Sequence, residues 1–186
     1  MDMMIRLESP DDVVGVRGVV TSAFGDEGPL ICELVDLLRV HACGRDGLSL
    51  VAVDGAPGAT RVAGHVMVTR SRLDAPRRLL DVGVLSPLAV DPEYQGHGLG
   101  GRLVAAAIEA ADETGFPALF LEGDPAFYGR LGFGPATPLG FRRPSLRIPD
   151  AAFQVRLLSA YETWMTGTLV YAEPFWDLDC VGLRDV

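Results

Sequence analysis

The sequence predicts one α/β domain built on a single mixed sheet with helices on both faces. Two observations support this fold class. β-branched runs bounded by turn residues follow two apolar helical stripes near the N-terminus, and a strand, a helix and a second strand then succeed one another near the middle of the chain. With 186 residues, the chain is long enough to bury a substantial core, so a single domain over residues 1–186 is expected.

Two helices are predicted near the N-terminus. Ser9-Pro10-Asp11-Asp12 supplies an N-cap, a proline at the first helical position and an acid in the first turn, so a helix is expected over about 10–23. The segment 25–29 then breaks the helical pattern. A second apolar stripe runs from Leu30 to about Arg39, which predicts a second amphipathic helix.

Three strands are predicted next. The runs Leu48–Val53 and Arg61–Arg70 flank the turn signal of residues 54–58, so they are expected to form an antiparallel hairpin. A longer strand covers Leu79–Val90 and contains Pro87. Because proline cannot donate a ladder hydrogen bond, a bulge or a local parting of strands is expected there, where a ligand could enter the sheet.

The second half of the chain predicts a crossover and a closing edge. Arg102–Glu113 is helical in pattern, and Ala118–Glu122 is typical of a buried strand parallel to the one before the helix. Two later apolar runs, Phe153–Leu158 and Thr166–Ala172, are expected to close the far edge of the sheet.

The composition excludes several classes of function. A net charge of −9 disfavours nucleic acid and anionic membrane surfaces as partners, and no segment reaches transmembrane length. All 16 basic residues are arginines, which excludes Schiff-base chemistry and a P-loop lysine. Cys32, Cys43 and Cys180 have no metal-ligand spacing, so no metal site and no disulfide framework are expected. A cytoplasmic location follows as the default.

The most informative segment follows the strand that ends in Leu88-Ala89-Val90. After a short spacer it is rich in glycine and opens a helix, which is suited to binding a pyrophosphate through backbone N–H groups. From Gly96 it matches the Gly-x-Gly-x-x-Gly fingerprint of NAD-binding domains, and from Gln95 it matches Gln-x-x-Gly-x-Gly. The spacer and its Pro92 favour the second pattern, because a dinucleotide fingerprint follows its strand at once. The candidate residues are Gln95, Gly96, His97, Gly98, Leu99, Gly100 and Gly101.

A second motif lies after the second parallel strand. Residues 123–134 include Phe127-Tyr128 and Gly132-Phe133, a Phe-Tyr-x-x-x-Gly-Phe pattern. Together with the Gln-x-x-Gly-x-Gly loop, this motif resembles the GNAT superfamily of N-acetyltransferases, and its Gly-Asp-Pro start resembles predicted bacterial acetyltransferases of the YhbS type. The resemblance covers most of the chain. It implies a mostly antiparallel central sheet that contains one splayed parallel strand pair.

The resemblance implies acetyl-CoA as the acetyl donor. In that family the glycine-rich loop binds the pyrophosphate, and the preceding strand pairs with pantetheine, here through Leu88, Ala89 and Val90. His97 could contact phosphate or point to solvent. Tyr128 matches the tyrosine that often protonates the departing thiolate, although a half-buried aromatic with a merely structural hydroxyl is the alternative.

An amine acceptor requires a base, because most amines are protonated at neutral pH. Glu122 is the preferred candidate, since it ends the second parallel strand, and Asp81 and Ser86 are the alternatives. The other interpretation of Glu122 is a solvated carboxylate with no role in catalysis. His65 is expected to be packed in the core. Family acceptor sites also draw attention to Phe24, Glu27, Trp164 and Trp176, for which a core or dimer contact is the simpler interpretation.

The predicted function is therefore transfer of the acetyl group of acetyl-CoA to a primary amine of a small molecule or peptide, by direct attack in a ternary complex. A homodimer is compatible with this prediction. The alternatives are a non-catalytic acyl-CoA-binding sensor or scaffold and an NAD-dependent oxidoreductase. The first would keep the glycine-rich loop without the chemistry, and the second would bind NAD in place of CoA.

Overall fold

The computed structural model describes residues 3–41, 48–55 and 61–183. Short 3₁₀ turns connect several of its elements. The helices are α1 (Val13–Phe24), α2 (Gly28–His41), α3 (Leu99–Glu113), α4 (Pro125–Tyr128) and α5 (Glu173–Asp177). The strands are β1 (Met4–Leu7), β2 (Leu48–Asp54), β3 (Arg61–Asp74), β4 (Leu79–Val90), β5 (Ala118–Glu122), β6 (Gly134–Pro135), β7 (Phe141–Arg142), β8 (Phe153–Leu157) and β9 (Gly167–Val170).

All these strands belong to one mixed sheet in the order β1-β2-β3-β4-β5-β8-β6. Outside this order, β9 pairs with β3 and with β7. The pairs β1–β2, β2–β3, β3–β4, β3–β9, β5–β8 and β6–β8 are antiparallel, whereas β4–β5 and the short pair β7–β9 are parallel. The predicted α/β fold with a mostly antiparallel sheet is confirmed. The predicted hairpin is also confirmed, since Asp54 pairs with Arg61 at its described end.

The parallel strands β4 and β5 pair with each other along only a short part of their length. Their register contains two pairs, Gly83 with Leu119 and Val84 with Phe120, although β4 continues for six more residues. The register between β3 and β4 shifts at the same level, where Leu85 and Leu88 face Val68 and Val66. The bulge predicted at Pro87 is therefore confirmed, and the strands part beyond it.

The sheet separates two hydrophobic layers. On one face, α1 and α2 pack against Val82, Val84 and Phe120. On the other face, α3 packs through residues such as Leu103 and Ala107 against the strands. Successive residues of β5 alternate between these layers, which is the ordinary consequence of a pleated strand. Because both faces are covered, β5 is apolar throughout until Glu122.

Several sequence-based predictions need correction. The run 166–172 does not close the far edge, because β9 pairs with Arg72–Asp74 of a β3 that extends beyond the predicted Arg70. The helix predicted from Arg102 begins at Leu99, and β1 was not predicted. His65 is fully buried, as expected, and Cys32 is 3% exposed. Cys43 and residues 56–58 of the predicted turn lie outside the described residues.

Candidate functional site

The glycine-rich loop presents a row of unpaired backbone donors. Gly96 and Gly98 have φ values of 77° and 79°, a left-handed conformation that glycine adopts without a steric penalty. This conformation turns the chain into the N-terminus of α3. Within the described chain, none of the N–H groups of residues 96–101 donates to an internal acceptor, and the next one, of Arg102, donates to the carbonyl of Gly98. Together with the positive end of the helix dipole, these donors are suited to a pyrophosphate.

Side chains at the start of the loop hold it in position, whereas its N–H donors come from the backbone. The Asp91 carboxylate accepts the N–H of Glu93 at 3.0 Å and pairs with Arg61 at 2.8 Å. The Gln95 side-chain amide donates to the carbonyl of Val90 at 2.9 Å, which ties the loop to the end of β4. The exposed His97 has its Nδ1 2.8 Å from the Gln95 carbonyl. The backbone of residues 96–101 therefore supplies the N–H donors of this loop that have no internal acceptor.

The end of β4 offers a second set of backbone groups. Leu88, Ala89 and Val90 pair with β3 on one edge only, because β5 has already parted from β4 at that level. Their other edge faces the opening between the strands. An extended ligand that carries amides, such as pantetheine, can hydrogen-bond to such an edge as an added strand would.

Tyr128 lies beside this opening on the α3 face. Asp124 accepts the N–H of Ala126 at 2.8 Å, and Pro125 occupies the first turn, so the short helix α4 is capped at its start. The Tyr128 ring packs edge-on against Phe127 and Phe133, at centroid distances of 4.8 and 5.8 Å. Burial raises the pKa of Tyr128 to about 12. Its hydroxyl consequently stays protonated at physiological pH and can act as an acid.

Glu122 lies at the end of β5 on the opposite face. The Tyr171 hydroxyl donates a hydrogen bond of 2.8 Å to its Oε1 atom, and the backbone N–H of Gly182 lies near enough to stabilise the charge of the carboxylate. Burial raises the pKa of Glu122, against the opposing effects of these donors and of the charge of Arg147. A carboxylate with a raised pKa is a better proton acceptor than one in water.

A cavity of about 410 Å³ opens beside Glu122. It is bounded by α2, β4, β5, α5 and the chain after α5, and it is at the lower end of the range for small-molecule sites. Its lining consists of Glu27, Leu30, Ile31, Val84, Ser86, Glu122, Pro149, Ala152, Tyr171, Phe175, Asp179, Cys180, Gly182 and Leu183.

The opening between β4 and β5 therefore has a different chemical group on each face. Leu121 and Tyr128 belong to the α3 layer, as do Leu88 and Val90 from β4. Glu122, one residue later on β5, is directed with Tyr171 toward the cavity in the other layer. A ligand placed between the strands would have a proton acceptor on one side and a proton donor on the other.

The other candidate residues are distributed unevenly. Ser86 and Glu27 line the cavity with Glu122. Asp81 is held in ion pairs with Arg70 and Arg72 near the start of β4, so the structure does not bring it to the cavity.

The aromatic candidates lie elsewhere. Phe24 packs against the core, Trp164 contacts the guanidinium groups of Arg77 and Arg78, and Trp176 is 41% exposed. In the described part of the chain no group of His, Cys, Asp and Glu side chains could hold a metal ion.

Sequence reasoning missed Tyr171 and the segment that contains Asp179 and Gly182. Tyr171 was assigned only to a closing strand, yet its hydroxyl contacts Glu122 across 49 residues of sequence. The one available signal was an isolated tyrosine at the end of an apolar run. No local pattern indicates which carboxylate such a tyrosine will meet.

Comparison with known proteins agrees with the geometry of the site. The model of the acetyltransferase (GNAT) family matches residues 26–133. The uncharacterized N-acetyltransferase YjhQ of Escherichia coli K12 is 34% identical over 176 residues, covering 91% of this chain and 92% of that protein.

Two solved structures extend this similarity to ligand complexes. The crystal structure of YhbS from E. coli in complex with CoA superposes with a TM-score of 0.79 at 31% identity, over 93% of this chain and 91% of that one. A GNAT acetyltransferase from Brucella melitensis in complex with acetyl-CoA has a TM-score of 0.70 at 27% identity, over 93% and 97%.

These findings also decide between the two interpretations of the loop. The sheet is mostly antiparallel, whereas a dinucleotide-binding domain needs consecutive parallel strands, so the NAD-dependent alternative is wrong.

No helix in the described ranges is long and apolar enough to cross a membrane. The unpaired N–H groups of the loop and the free edge of β4 fit the pyrophosphate and pantetheine of acetyl-CoA. The chain belongs to the acetyltransferase (GNAT) family and is an acetyl-CoA-dependent N-acetyltransferase.

Proposed function

We propose that the protein transfers the acetyl group of acetyl-CoA to a primary amine by direct attack in a ternary complex. Acetyl-CoA supplies a thioester whose carbonyl carbon is attacked, with release of the CoA thiol. The observation that carries this proposal is the opening between β4 and β5, which has Tyr128 on one face and the cavity with Glu122 on the other.

The backbone is proposed to hold the donor. The N–H groups of residues 96–101 bind the pyrophosphate, whereas the N–H of Gln95 already donates to the carbonyl of Pro92. The free edge formed by Leu88, Ala89 and Val90 binds the pantetheine amides. A backbone N–H beside the bulge at Pro87 polarises the thioester carbonyl; Pro87 itself has no N–H and cannot do so. This arrangement uses the donors that the fold leaves without internal acceptors.

Glu122 is the proposed base. The amine enters from the cavity and gives a proton to the Glu122 carboxylate, directly or through one water molecule. Tyr171 orients that carboxylate through its hydrogen bond to Oε1. As the new C–N bond forms and the C–S bond breaks, the Tyr128 hydroxyl donates its proton to the sulfur. No covalent acetyl-enzyme is required.

Steady-state kinetics with both substrates varied, combined with intact-mass measurement, tests this proposal. We expect intersecting reciprocal plots and no 42 Da mass increase after incubation with acetyl-CoA alone. Parallel plots together with an acetylated protein would contradict direct attack. A protein that binds acetyl-CoA but releases no thiol with any amine would favour the sensor or scaffold alternative.

A further inference from the structure

The walls of the cavity beside Glu122 carry an uneven distribution of charge. Three carboxylates line it, those of Glu27, Glu122 and Asp179, and among the lining residues that the structure describes, which end at Leu183, none is basic. Arg147 lies outside the lining and forms an ion pair of 3.0 Å with Asp179. The charge of Asp179 is therefore balanced. Glu122, whose charge Arg147 offsets in part, and Glu27 give the cavity a preference for cations.

The two remaining carboxylates lie at different depths. Glu122 is partly buried at the end of β5, where it accepts the Tyr171 hydrogen bond. Glu27 is exposed at the start of α2, so it lies at the rim of the cavity. Glu27 and Cys180 both line the cavity, and the charge of Glu27 adds to the effects of burial and Asp179 that raise the pKa of the Cys180 thiol.

Much of the remaining lining is apolar. Ile31 and Val84 belong to or pack against the core, Phe175 is 2% exposed, and Leu30 is 40% exposed near the rim. Such a surface favours methylene groups over hydroxyl groups, because an unpaired polar group loses its hydrogen bonds to water on burial. An acceptor that fits this cavity has an apolar body and no negative charge.

We infer that the acceptor is a small diamine with an apolar spacer. This inference rests on the proposed function, since the reacting amine is the one that meets Glu122. The spacer lies along the apolar wall, and the second ammonium group is attracted to Glu27 at the rim. A carboxylate or phosphate in that second position would meet like charge, and the described part of the lining offers no basic side chain to balance it.

Three acceptors that share a chain of five carbon atoms from the reacting amine test the inference: 1,5-diaminopentane, pentylamine and 6-aminohexanoate. They differ only in the terminal group, which is positive, neutral or negative. Because Glu27 is exposed, its contribution is that of a surface ion pair, and we expect kcat/KM to favour the diamine over pentylamine by about fivefold. The aminohexanoate is expected to be the poorest acceptor.

The variant Glu27→Gln isolates the role of the rim charge. Its ratio of kcat/KM values for the diamine and pentylamine should fall toward two, the statistical factor for a molecule with two equivalent amines, while kcat/KM for pentylamine changes little. Glu33→Gln is the matched control, because it removes the same charge from an exposed position of α2, the helix that follows Glu27, and Glu33 does not line the cavity. The control should keep the wild-type ratio.

The outcomes separate this inference from the proposed function. Equal use of the three acceptors, preference for 6-aminohexanoate, or an unchanged ratio in Glu27→Gln would overturn the diamine assignment while leaving the transferase intact. If acetyl-CoA raises the melting temperature but none of the three is acetylated while a peptide with a free N-terminus is, the diamine assignment is also wrong. Intact-mass evidence for an acetylated protein would instead contradict the proposed mechanism.

Discussion

Replacing Tyr128 with phenylalanine removes one hydroxyl group and leaves the ring contacts in place. The ring packs against Phe127 and Phe133, and within the described residues no hydrogen bond to the hydroxyl is found. The change therefore opens no cavity and breaks no internal hydrogen bond. We expect the free energy of unfolding to change by less than about 0.5 kcal/mol.

The effect on catalysis should be much larger. General acid catalysis contributes about 10²- to 10⁴-fold to a rate, so the barrier in Tyr128→Phe should rise by about 3–5 kcal/mol. The dissociation constant for acetyl-CoA should stay near the wild-type value, since Tyr128 belongs neither to the loop donors nor to the edge of β4. Because the pKa of Tyr128 is about 12, wild-type activity should show no loss from its ionisation below pH 10.

Thiol release measures kcat, and titration with acetyl-CoA measures binding. Tyr161→Phe is the control, since it removes a hydroxyl from a tyrosine that packs near Phe141, away from the opening between the strands. A kcat for Tyr128→Phe within threefold of wild type would refute the assignment of Tyr128 as the acid. An equal loss of kcat and of thermal stability would show that the residue acts through folding.

Three further predictions concern the base, the loop and an ion pair. In Glu122→Gln, kcat should fall about 10²- to 10⁴-fold. Because the pKa of Glu122 is raised in the folded protein, the free energy of unfolding of the wild type should decline as pH rises above the usual glutamate range. Denaturation measured against pH should show that this decline is missing in the variant. Gly98→Ala should lower the free energy of unfolding by about 1–2 kcal/mol and weaken acetyl-CoA binding, because φ at this position is 79°. Gly18→Ala, the control in α1, should stabilise the protein. Equal changes in the melting temperatures of the two variants would contradict this prediction. Arg6 holds the pKa of Asp12 well below its usual range, so wild-type stability should decline as pH falls below about 4, and Asp12→Asn should lose that part of the acid dependence.

The sequence indicates the central part of the fold because its local patterns and its tertiary structure agree there. Pro87 cannot complete a strand ladder, and the glycines of the loop allow left-handed turns, so the residue types alone indicate both features. Tyr128 is found by a motif. Glu122 is found by its position at the end of an apolar strand, which is a weaker signal.

The remainder depends on contacts between distant segments. β9 pairs with Arg72–Asp74, where β3 alternates between exposed and buried residues beyond the apolar run that defined the predicted strand. The contact of Tyr171 with Glu122 joins residues far apart in sequence. The cavity likewise combines α2, β5 and the segment after α5, so its charge and shape emerge only when the chain is folded.

A crystal structure of the protein with acetyl-CoA tests the central claim most directly. The account predicts that the pyrophosphate accepts hydrogen bonds from the N–H groups of residues 96–101 and that pantetheine pairs with the free edge of β4. It also predicts that the sulfur lies within about 3.5 Å of the Tyr128 hydroxyl, with the acetyl carbon facing the Glu122 cavity. A complex in which the acetyl group points away from that cavity, or in which Tyr128 lies on the far side of the ligand from the sulfur, would contradict the account.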